Sequence, residues 1–305
     1  MEIIVLGSIN MDLVVHAPRL PRPGESLIGT SFHTTPGGKG ANQAVACARL
    51  GIQTHMIGRV GDDVFGNALR ENLAAYGVDT QGISVEEKQP SGVALISIDQ
   101  AAENNIIVVP GANDTVGQPE LDYLVSILSD VQVLLLQLEI PMDIVQKAAQ
   151  LAHERSITVI LDPAPATPLP SELYPYVDIL TPNMTEASIL AGFPVETIEE
   201  AEKAVDLFLE RGARLAIIKM GAMGAFAKDH AGGRFYPAIP VQAVDTVAAG
   251  DAFNGALGAA LSEGQPFDKA MHWALAAGSI AVTRLGAQKA MPDRKEVLEI
   301  LKFQD

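Results

Sequence analysis

The sequence predicts an α/β fold with a mostly parallel central sheet, helices on both of its faces and a small additional β-sheet. From about residue 133 onward, short apolar runs alternate with helical patterns, which is typical of parallel strands covered by helices. At 305 residues and 48% hydrophobic content, the chain is long enough for a sizeable core. Two β-rich segments, at about 13–34 and 92–109, fall outside this alternation. We therefore predict a single domain, 1–305, whose β lid comes from these two segments.

The first part of the chain combines an N-terminal strand, a glycine-rich loop and a possible hairpin. The apolar run at 2–6 ends at Gly7 and predicts a buried strand. The runs at 92–98 and 105–109 have only polar residues between them, so they could form a hairpin. The other elements predicted here are a strand at 54–59 and helices ending near residue 50, at 65–76 and at 120–129.

The second part follows a regular strand–helix rhythm and ends in three helices. The predicted strands lie at 133–138, 157–161, 177–180 and 215–219, followed by an antiparallel pair at 223–228 and 233–241. The predicted helices lie at 141–155, 186–191, 198–211, 250–263, 266–283 and 294–302. Ligands of such sheets bind beyond the carboxyl ends of the strands, so polar residues there are candidate site residues.

Composition narrows the class of partner. The chain has 21 Lys and Arg against 37 Asp and Glu, a formal net charge of −16, which disfavours nucleic acids and anionic membranes. Cys47 is the only cysteine, and it lies among alanines as a small core residue would. The N-terminus lacks the basic start of a secretory signal, and no apolar run is long enough to span a membrane. We expect a cytoplasmic protein.

The stretch 245–255 carries the strongest chemical signal. Ala248, Ala249 and Gly250 have almost no side chains, so their N–H groups could approach an anion at the start of a helix. Asp251 follows in the first turn, where it suits a general base that deprotonates a hydroxyl attacking a phosphoryl group. An ordinary helix start with an acidic first turn explains the same pattern.

The loop Gly37–Gln43 is a second candidate. It fails the dinucleotide fingerprint, because Gln43 stands where the third glycine is needed, and it fails the Walker A pattern. Lys39 and Asn42 could donate hydrogen bonds to a polyol, although a flexible turn before a helix is an equal alternative. Polar residues also follow predicted strands elsewhere and could face the same site or only solvent: Asn10, Asp12, Glu139, Asn183, Glu186, Lys219 and Gly221.

Six motifs in the same order over essentially the whole chain resemble the ribokinase family of carbohydrate kinases. The two signature regions are Gly37–Gln43 and Asp245–Gly255, and the others are Leu6–Asp12, Gln137–Glu139, Thr181–Glu186 and Ala281–Gln288. The resemblance implies a ribokinase-like fold and ATP-dependent phosphorylation of the 5-hydroxyl of D-ribose. It also implies a homodimer formed through the lid.

The resemblance also implies the roles of individual residues. Asp251 would be the base and Ala248–Gly250 the anion hole. The sugar would be held by Asn10, Asp12, Gly38, Lys39, Asn42 and Glu139. ATP and Mg²⁺ would contact Asn183, Glu186, Lys219, Gly221, Gly224, Gly250 and Leu275. A monovalent cation such as K⁺ would be held, mainly through carbonyls, by a loop containing Asp245, Val247, Ala281, Arg284, Gly286 and Ala290.

Three positions depart from the family pattern: Lys219 replaces Thr, Leu275 replaces a polar neighbour of adenine and Ala290 replaces Ser. The nearest alternative function is another sugar or nucleoside kinase of the family, such as a fructokinase, but those relatives usually lack Lys39. A non-catalytic sugar or nucleotide sensor is a more distant alternative, since it would not need Asp251. A dehydrogenase is disfavoured by the failed dinucleotide fingerprint.

Overall fold

The computed structural model describes residues 2–100 and 104–302. The lid prediction for residues 101–103, and the domain prediction for residues 1 and 303–305, therefore lie outside the described residues. The strands in the described ranges are β1 Glu2–Leu6, β2 Asn10–His16, β3 Ser31–Gly37, β4 Gln53–Gly61, β5 Asp79–Glu86, β6 Gly92–Ile98, β7 Asn104–Val109, β8 Val131–Leu136, β9 Thr158–Leu161, β10 Ile179–Leu180, β11 Leu215–Lys219, β12 Gly224–Asp229 and β13 Gly232–Pro237. The helices are α1 Lys39–Arg49, α2 Val64–Ala75, α3 Gln118–Ile127, α4 Met142–His153, α5 Met184–Ala191, α6 Ile198–Glu210, α7 Ala249–Ser262, α8 Phe267–Ala281 and α9 Arg294–Leu301.

Nine of the strands in the described ranges form the central sheet, in the order β13-β12-β11-β10-β9-β8-β1-β4-β5. Neighbouring strands from β5 to β11 pair in parallel, and β12 and β13 pair antiparallel at one edge. The predicted mostly parallel sheet and its terminal antiparallel pair are confirmed. The apolar runs that form its central strands suit burial on both faces.

Helices cover both faces of this sheet, and β1 shows how its side chains divide between them. Ile3 and Val5 pack into a core with α1, α2 and α7–α9, whereas Ile4 and Leu6 pack into a second core with α3–α6. This division follows from the two-residue period of a strand. On the first face α1 and α7 approach closely at Gly255, where a Cβ would lie 2.4 Å from the Cβ of Ala46.

A separate four-stranded sheet, in the order β3-β2-β6-β7, grows from the carboxyl end of β1; we call it the small sheet. The predicted hairpin is confirmed as the antiparallel pair β6 and β7. The pairing register puts Asn10 and Asp12 on one face of the small sheet. The opposite face carries an apolar set, which we call the outer apolar face: Leu13, Val15, Phe32, Val93, Leu95, Ile107 and Val109.

The structure corrects the sequence predictions in three places. From the sequence we expect both faces of the small sheet to draw on a set of seven apolar residues: Leu13, Val15, Leu27, Ile28, Val93, Leu95 and Ile107. Strand pairing instead puts Leu13, Val15, Val93, Leu95 and Ile107 on one face, and Leu27 and Ile28 lie outside its strands. The strand predicted to reach residue 241 ends at 237. Strand β5 was missed, because its polar run with an internal glycine hides an edge strand that pairs only with β4.

Two further expectations can be compared with the fold. Cys47 is a free, fully buried cysteine of α1, as expected for a core residue. Burial raises the pKa of its thiol, so the side chain is a poor nucleophile. In the described ranges, each helix is too short or too polar to cross a bilayer.

Candidate active site

The order of strands in the central sheet creates a crevice beside β1. From β1 the chain moves to β4 and β5 on one side, and it later starts the other side with β8. Loops leaving the carboxyl ends of β1 and β8 therefore separate, and such a switch point is where open α/β sheets bind ligands. The loop after β1 leads directly to Asn10 and Asp12, and the loop after β8 carries Glu139.

Asp251 lies in the first turn of α7, and the residue is 5% exposed. Its Oδ2 accepts a hydrogen bond from Asn42 Nδ2 at 2.9 Å, and its Oδ1 accepts one from Gln43 Nε2 at 3.1 Å. Burial raises the pKa of Asp251 to about 6, against the opposing effects of Lys39 and the two amides, while Asp162 adds to the rise. The group is therefore mostly ionised at neutral pH and able to accept a proton.

A cluster of charged side chains lies beside Asp251. Asp12 is buried, and burial together with Glu139 and Asp251 raises its pKa to about 7. Burial disfavours the ammonium of Lys39, but Asp251, Asp162 and other carboxylates outweigh this effect and raise its pKa. Lys39 is therefore the cation that balances this acidic pocket.

The loop Gly37–Gln43 is held against the end of β1. Glu139 Oε2 accepts hydrogen bonds from Ser8 Oγ at 2.5 Å and from the Lys39 amide at 3.3 Å. Gly38 has φ of 89°, and a Cβ on it would lie 2.7 Å from the Asn10 amide nitrogen, so both the conformation and the space require glycine. The predicted sugar residues of the first signature, of β2 and of the β8 loop are thereby brought together.

A cavity of about 710 Å³ meets this cluster at Asp251 and Lys39. All seven residues predicted to contact the nucleotide or Mg²⁺ line it, as do the three residues of the predicted anion hole. Its apolar wall is formed by residues 238–241 and Ala243 together with Leu275 and Gly278 of α8. Asp251 and Lys39 also line this cavity, so they stand between the two pockets.

The start of α7 forms part of the cavity wall. Ala248 precedes the helix in the left-handed conformation, with φ of 57°, and makes no side-chain cap. The Ala249 amide makes only a long bond, 3.4 Å, to the Thr246 carbonyl. The first amides of a helix lack partners within it, so this helix start suits an anion. The Lys219 ammonium lies 3.3 Å from the position that a Cβ on Gly250 would take, so positive charge is already present there.

Asn183 and Glu186 form a reciprocal capping box at the start of α5. The Asn183 side chain accepts from the Glu186 amide at 2.8 Å, and the Glu186 carboxylate accepts from the Asn183 amide at 2.7 Å. Both residues line the cavity, and a β-bridge joins Asn183 to Lys219. Burial, with Asp162 adding to it and Lys219 opposing it, raises the pKa of Glu186.

Asp245 organises the loop predicted to hold a monovalent cation. Its Oδ1 accepts from the Val247 amide at 3.0 Å, and its Oδ2 accepts from the Gly286 amide at 2.9 Å. Arg284 instead directs its guanidinium to Glu296 of α9, and Ala290 is fully buried in the turn before α9. The remaining predicted residue, Ala281, ends α8. In residues 2–100 and 104–302, no group of three or more His, Cys, Asp or Glu side chains could hold a metal ion.

Three polar residues of the site were missed as candidates. Asp162 directly follows β9, binds Lys219 Nζ through Oδ1 at 2.8 Å and accepts from Gln43 through Oδ2. Gln43 also accepts a hydrogen bond from Gln137 Nε2 at 2.7 Å. The rule that polar groups after strands face the site would have found Asp162. Gln137 lay inside the strand predicted at 133–138, which ends at Leu136, and the role of Gln43 depends on a contact between α1 and α7.

Comparisons with known proteins agree with this geometry. The family described as pfkB family carbohydrate kinase matches residues 1–294. The ribokinase of Haemophilus influenzae is 41% identical over 298 residues, covering 98% of this chain and 97% of that protein. The ribokinase of Bacillus subtilis is 42% identical over 302 residues, covering 98% and 99%.

The fold has an equally complete counterpart among solved structures. The structure of Arabidopsis thaliana ribokinase complexed with ribose and ATP superposes with a TM-score of 0.91 at 36% identity, covering 99% of this chain and 98% of that one. The family match, the curated relatives and the shared fold all extend over nearly the whole chain. The chain therefore belongs to the pfkB family of carbohydrate kinases.

Proposed function

We propose that this protein transfers the γ-phosphoryl group of ATP to the 5-hydroxyl of D-ribose. The observation that carries the proposal is the position of Asp251 between two pockets. It bonds to Asn42 of the first signature and also lines the cavity at the start of α7. The similarity to ribokinases over nearly the full length supports ribose as the sugar.

The acceptor pocket suits a polyol. Asn10, Asp12, Gly38, Lys39, Asn42 and Glu139 are the proposed sugar-binding residues. Asp251 would take the proton of the 5-hydroxyl as its oxygen attacks the γ-phosphorus. The new O–P bond then forms while the bond between the β–γ bridging oxygen and the γ-phosphorus breaks, and ADP leaves with that oxygen.

The donor cavity suits ATP by size and by wall chemistry. Its volume of about 710 Å³ lies within the range of small-ligand sites. Gly221 and Gly224 let the backbone approach phosphates without a side chain in the way, and the apolar segment from Ile239 suits a base. The amides of Ala248–Gly250 and the Lys219 ammonium would hold the transferring group, where fixed positive groups stabilise developing charge.

Two cations belong to the proposal. The half-buried Glu186 carboxylate, which lines the donor cavity together with Asp162, fits Mg²⁺, which prefers oxygen ligands and water. Bound Mg²⁺ would neutralise phosphate charge during transfer. The loop around Asp245 fits K⁺, because a carboxylate and backbone carbonyls are hard oxygen ligands. Since Asp245 lies just before the α7 start, an ion there would order the anion hole.

The small sheet is the proposed lid and dimer interface. Asn10 and Asp12 lie on its inner side, so closing it over ribose would exclude water from the reaction. Its outer apolar face is the proposed contact with a second copy, because pairing would also cover the sheet edges. The cytoplasm is the proposed compartment.

The test is a sugar panel with ATP and Mg²⁺. Ribose, 2-deoxyribose, fructose and adenosine are compared by kcat/KM, first in sodium and then in potassium salts. The proposal expects ribose to exceed fructose and adenosine by at least about tenfold, a discrimination that hydrogen-bonding pockets readily reach. Preference for fructose or a nucleoside would replace the substrate and keep the kinase. Sugar binding without any turnover would instead support the sensor alternative.

A further inference from the structure

Gln43 connects the candidate base to the donor cavity. Its side chain is fully buried, and its Nε2 donates to two carboxylates, Asp251 Oδ1 at 3.1 Å and Asp162 Oδ2 at 3.0 Å. Its Oε1 accepts from Gln137 Nε2 at 2.7 Å. One amide therefore uses both N–H groups and its oxygen in a chain that runs from the end of β8 to α1, α7 and the end of β9.

These hydrogen bonds leave only one orientation for the amide of Gln43. A rotated amide would direct its oxygen at two carboxylates and its NH₂ group at the NH₂ of Gln137, so all three contacts would become repulsive. Gln137 is itself fully buried at the end of β8, and the Gln43 contact holds its amide. The orientation of Gln43 is therefore set by the fold before any substrate binds.

The second carboxylate on this amide belongs to the phosphate side of the site. Asp162 is bound to the Lys219 ammonium at 2.8 Å, and that ammonium lies beside Gly250 at the proposed anion hole. The amide of Gln43 thus separates two negative groups that would otherwise repel each other across a buried space. It touches neither reacting atom of the proposed reaction.

We propose that Gln43 is a positioning residue for Asp251, which orients the base carboxylate and keeps it ionised while holding Asp162 and Lys219 in register with it. This inference rests on the proposed phosphoryl transfer, with Asp251 as its base. A hydrogen bond to a carboxylate favours the charged form, so the amide of Gln43 opposes the effect of burial on the base. Without it, Asp251 would hold its proton at a higher pH.

The charged groups that face Asp251 come from several elements, and the charge of each either favours or disfavours the ionised form of Asp251. Lys39 of α1 favours the ionised base, and Asp162 after β9 disfavours it. Asp12 of β2 is close enough to couple to Asp251. The Lys219 ammonium of β11 lies close to Gly250, the residue before Asp251. The carboxylate of Glu186 in α5 interacts electrostatically with both Lys219 and Asp162. Removing Gln43 changes none of these charges.

The test is the acid limb of the pH profile of kcat/KM for ribose at saturating ATP and Mg²⁺, which reports the base of the enzyme before the sugar binds. Gln43→Met keeps length and volume but removes both donors. We expect its limb to move up by about one pH unit, which makes the loss about tenfold below the limb and small near pH 9. Circular dichroism and melting temperature verify that the variant is folded.

Two further variants should move the acid limb in opposite directions. Gln43→Glu puts a third carboxylate beside Asp251 and should move the limb higher than Met does. Asp162→Asn removes a negative neighbour but keeps an oxygen that can accept from Gln43, so its limb should move below that of the wild type. If the Met variant fails to fold, the opposite shifts of these two variants decide the question.

An unmoved limb, or an equal loss of activity at every pH, would overturn the proposal, because a merely structural glutamine predicts one of those results. The wild-type sugar panel separates this outcome from failure of the proposed function. If the enzyme prefers another sugar, the same profiles are measured with that sugar. A wild type that binds sugar without turnover would overturn both proposals together.

Discussion

The carboxyl edge of the central sheet and the small sheet both contribute to the proposed acceptor pocket, yet they are built in opposite ways. At the edge, Asp251 is 5% exposed and both of its oxygens accept hydrogen bonds from amides. On the outer apolar face of the small sheet, Phe32 is 63% exposed and Ile107 is 62% exposed. One region satisfies its charges within the chain, and the other leaves apolar surface uncovered.

The two regions differ because they must meet different energetic requirements. A reactive carboxylate must be dry and fixed, so its partners come from helices already packed into the core. The proposed lid would have to open for substrate, and part of its surface, such as Phe32 and Ile107, is not buried against the rest of the chain. A sheet of a few strands is only marginally stable alone in water. Changes at the edge should therefore affect chemistry, whereas changes on the small sheet should affect assembly and capture.

The largest expected effect tests the edge. Asp251→Asn keeps size and can keep one amide contact, but it cannot take a proton. We expect kcat to fall by about 10²–10⁴, as loss of a general base typically causes, with little change in ribose binding measured by calorimetry. Asp143→Asn, on the exposed surface of α4, is the control and should retain full activity. Near wild-type turnover in the Asp251 variant would move the base elsewhere.

The next effect tests the small sheet. Ile107→Glu puts a charge in the centre of the outer apolar face without touching Asp251. We expect light scattering to change from two chains to one, and the KM for ribose to rise by about tenfold, the equivalent of losing roughly 1.4 kcal/mol of capture. Val125→Glu, on the partly exposed surface of α3, is the control. A monomeric wild type with full activity would contradict the proposed interface.

A smaller effect should come from the loop that joins chemistry to ion binding. Potassium should raise kcat above its value in sodium by several-fold, because an ion beside Asp245 would order the start of α7 without touching substrate. Asp245→Ala should lower activity and remove the difference between the salts. Steady-state rates at constant ionic strength measure this effect. Equal wild-type rates in the two salts would refute the ion site, and Ala290 is the position to examine next.

The smallest effect concerns the free energy of unfolding. The pKa of Asp12 is raised to about 7 from 3.8 by burial, Glu139 and Asp251, so folding favours its protonated form. That contribution is fully present below about pH 4 and is lost as pH rises through about 7. Asp12→Asn should therefore raise the melting temperature at pH 8 by about 2–4 °C and leave it nearly unchanged at pH 4. A gain of equal size at both pH values would argue against this origin.

Many structural features of the two regions could be predicted from the sequence. The strand–helix rhythm predicted the central sheet, and the segments outside the rhythm predicted the small sheet. The residues after strands, such as Asn10 and Glu139, were found because parallel strands place their carboxyl ends at one edge. The small residues before Asp251 identified the helix start, because only backbone groups are available to an anion there.

The remaining features depend on contacts that no local pattern encodes. Strand β5 was missed because its polar residues suit an edge that has one neighbour. The contact of Gln43 with Asp251 exists because α1 packs against α7 at Gly255, and the sequence pattern of α1 alone does not show it. The shared face of Leu13, Leu95 and Ile107 follows from pairing register, which a single strand does not reveal.

The joint between the two sheets is only three residues long, because β1 ends at Leu6 and β2 begins at Asn10. Asn113, which follows β7, grips this joint at both the amide and the carbonyl of Ile9. A connection this short leaves little room for β2 to move independently of β1. Any rotation of the small sheet must carry Asn10 and Asp12 with it, since they are the first and third residues of β2. In the proposed lid, contact with the sugar and movement of the small sheet would therefore be coupled in one step.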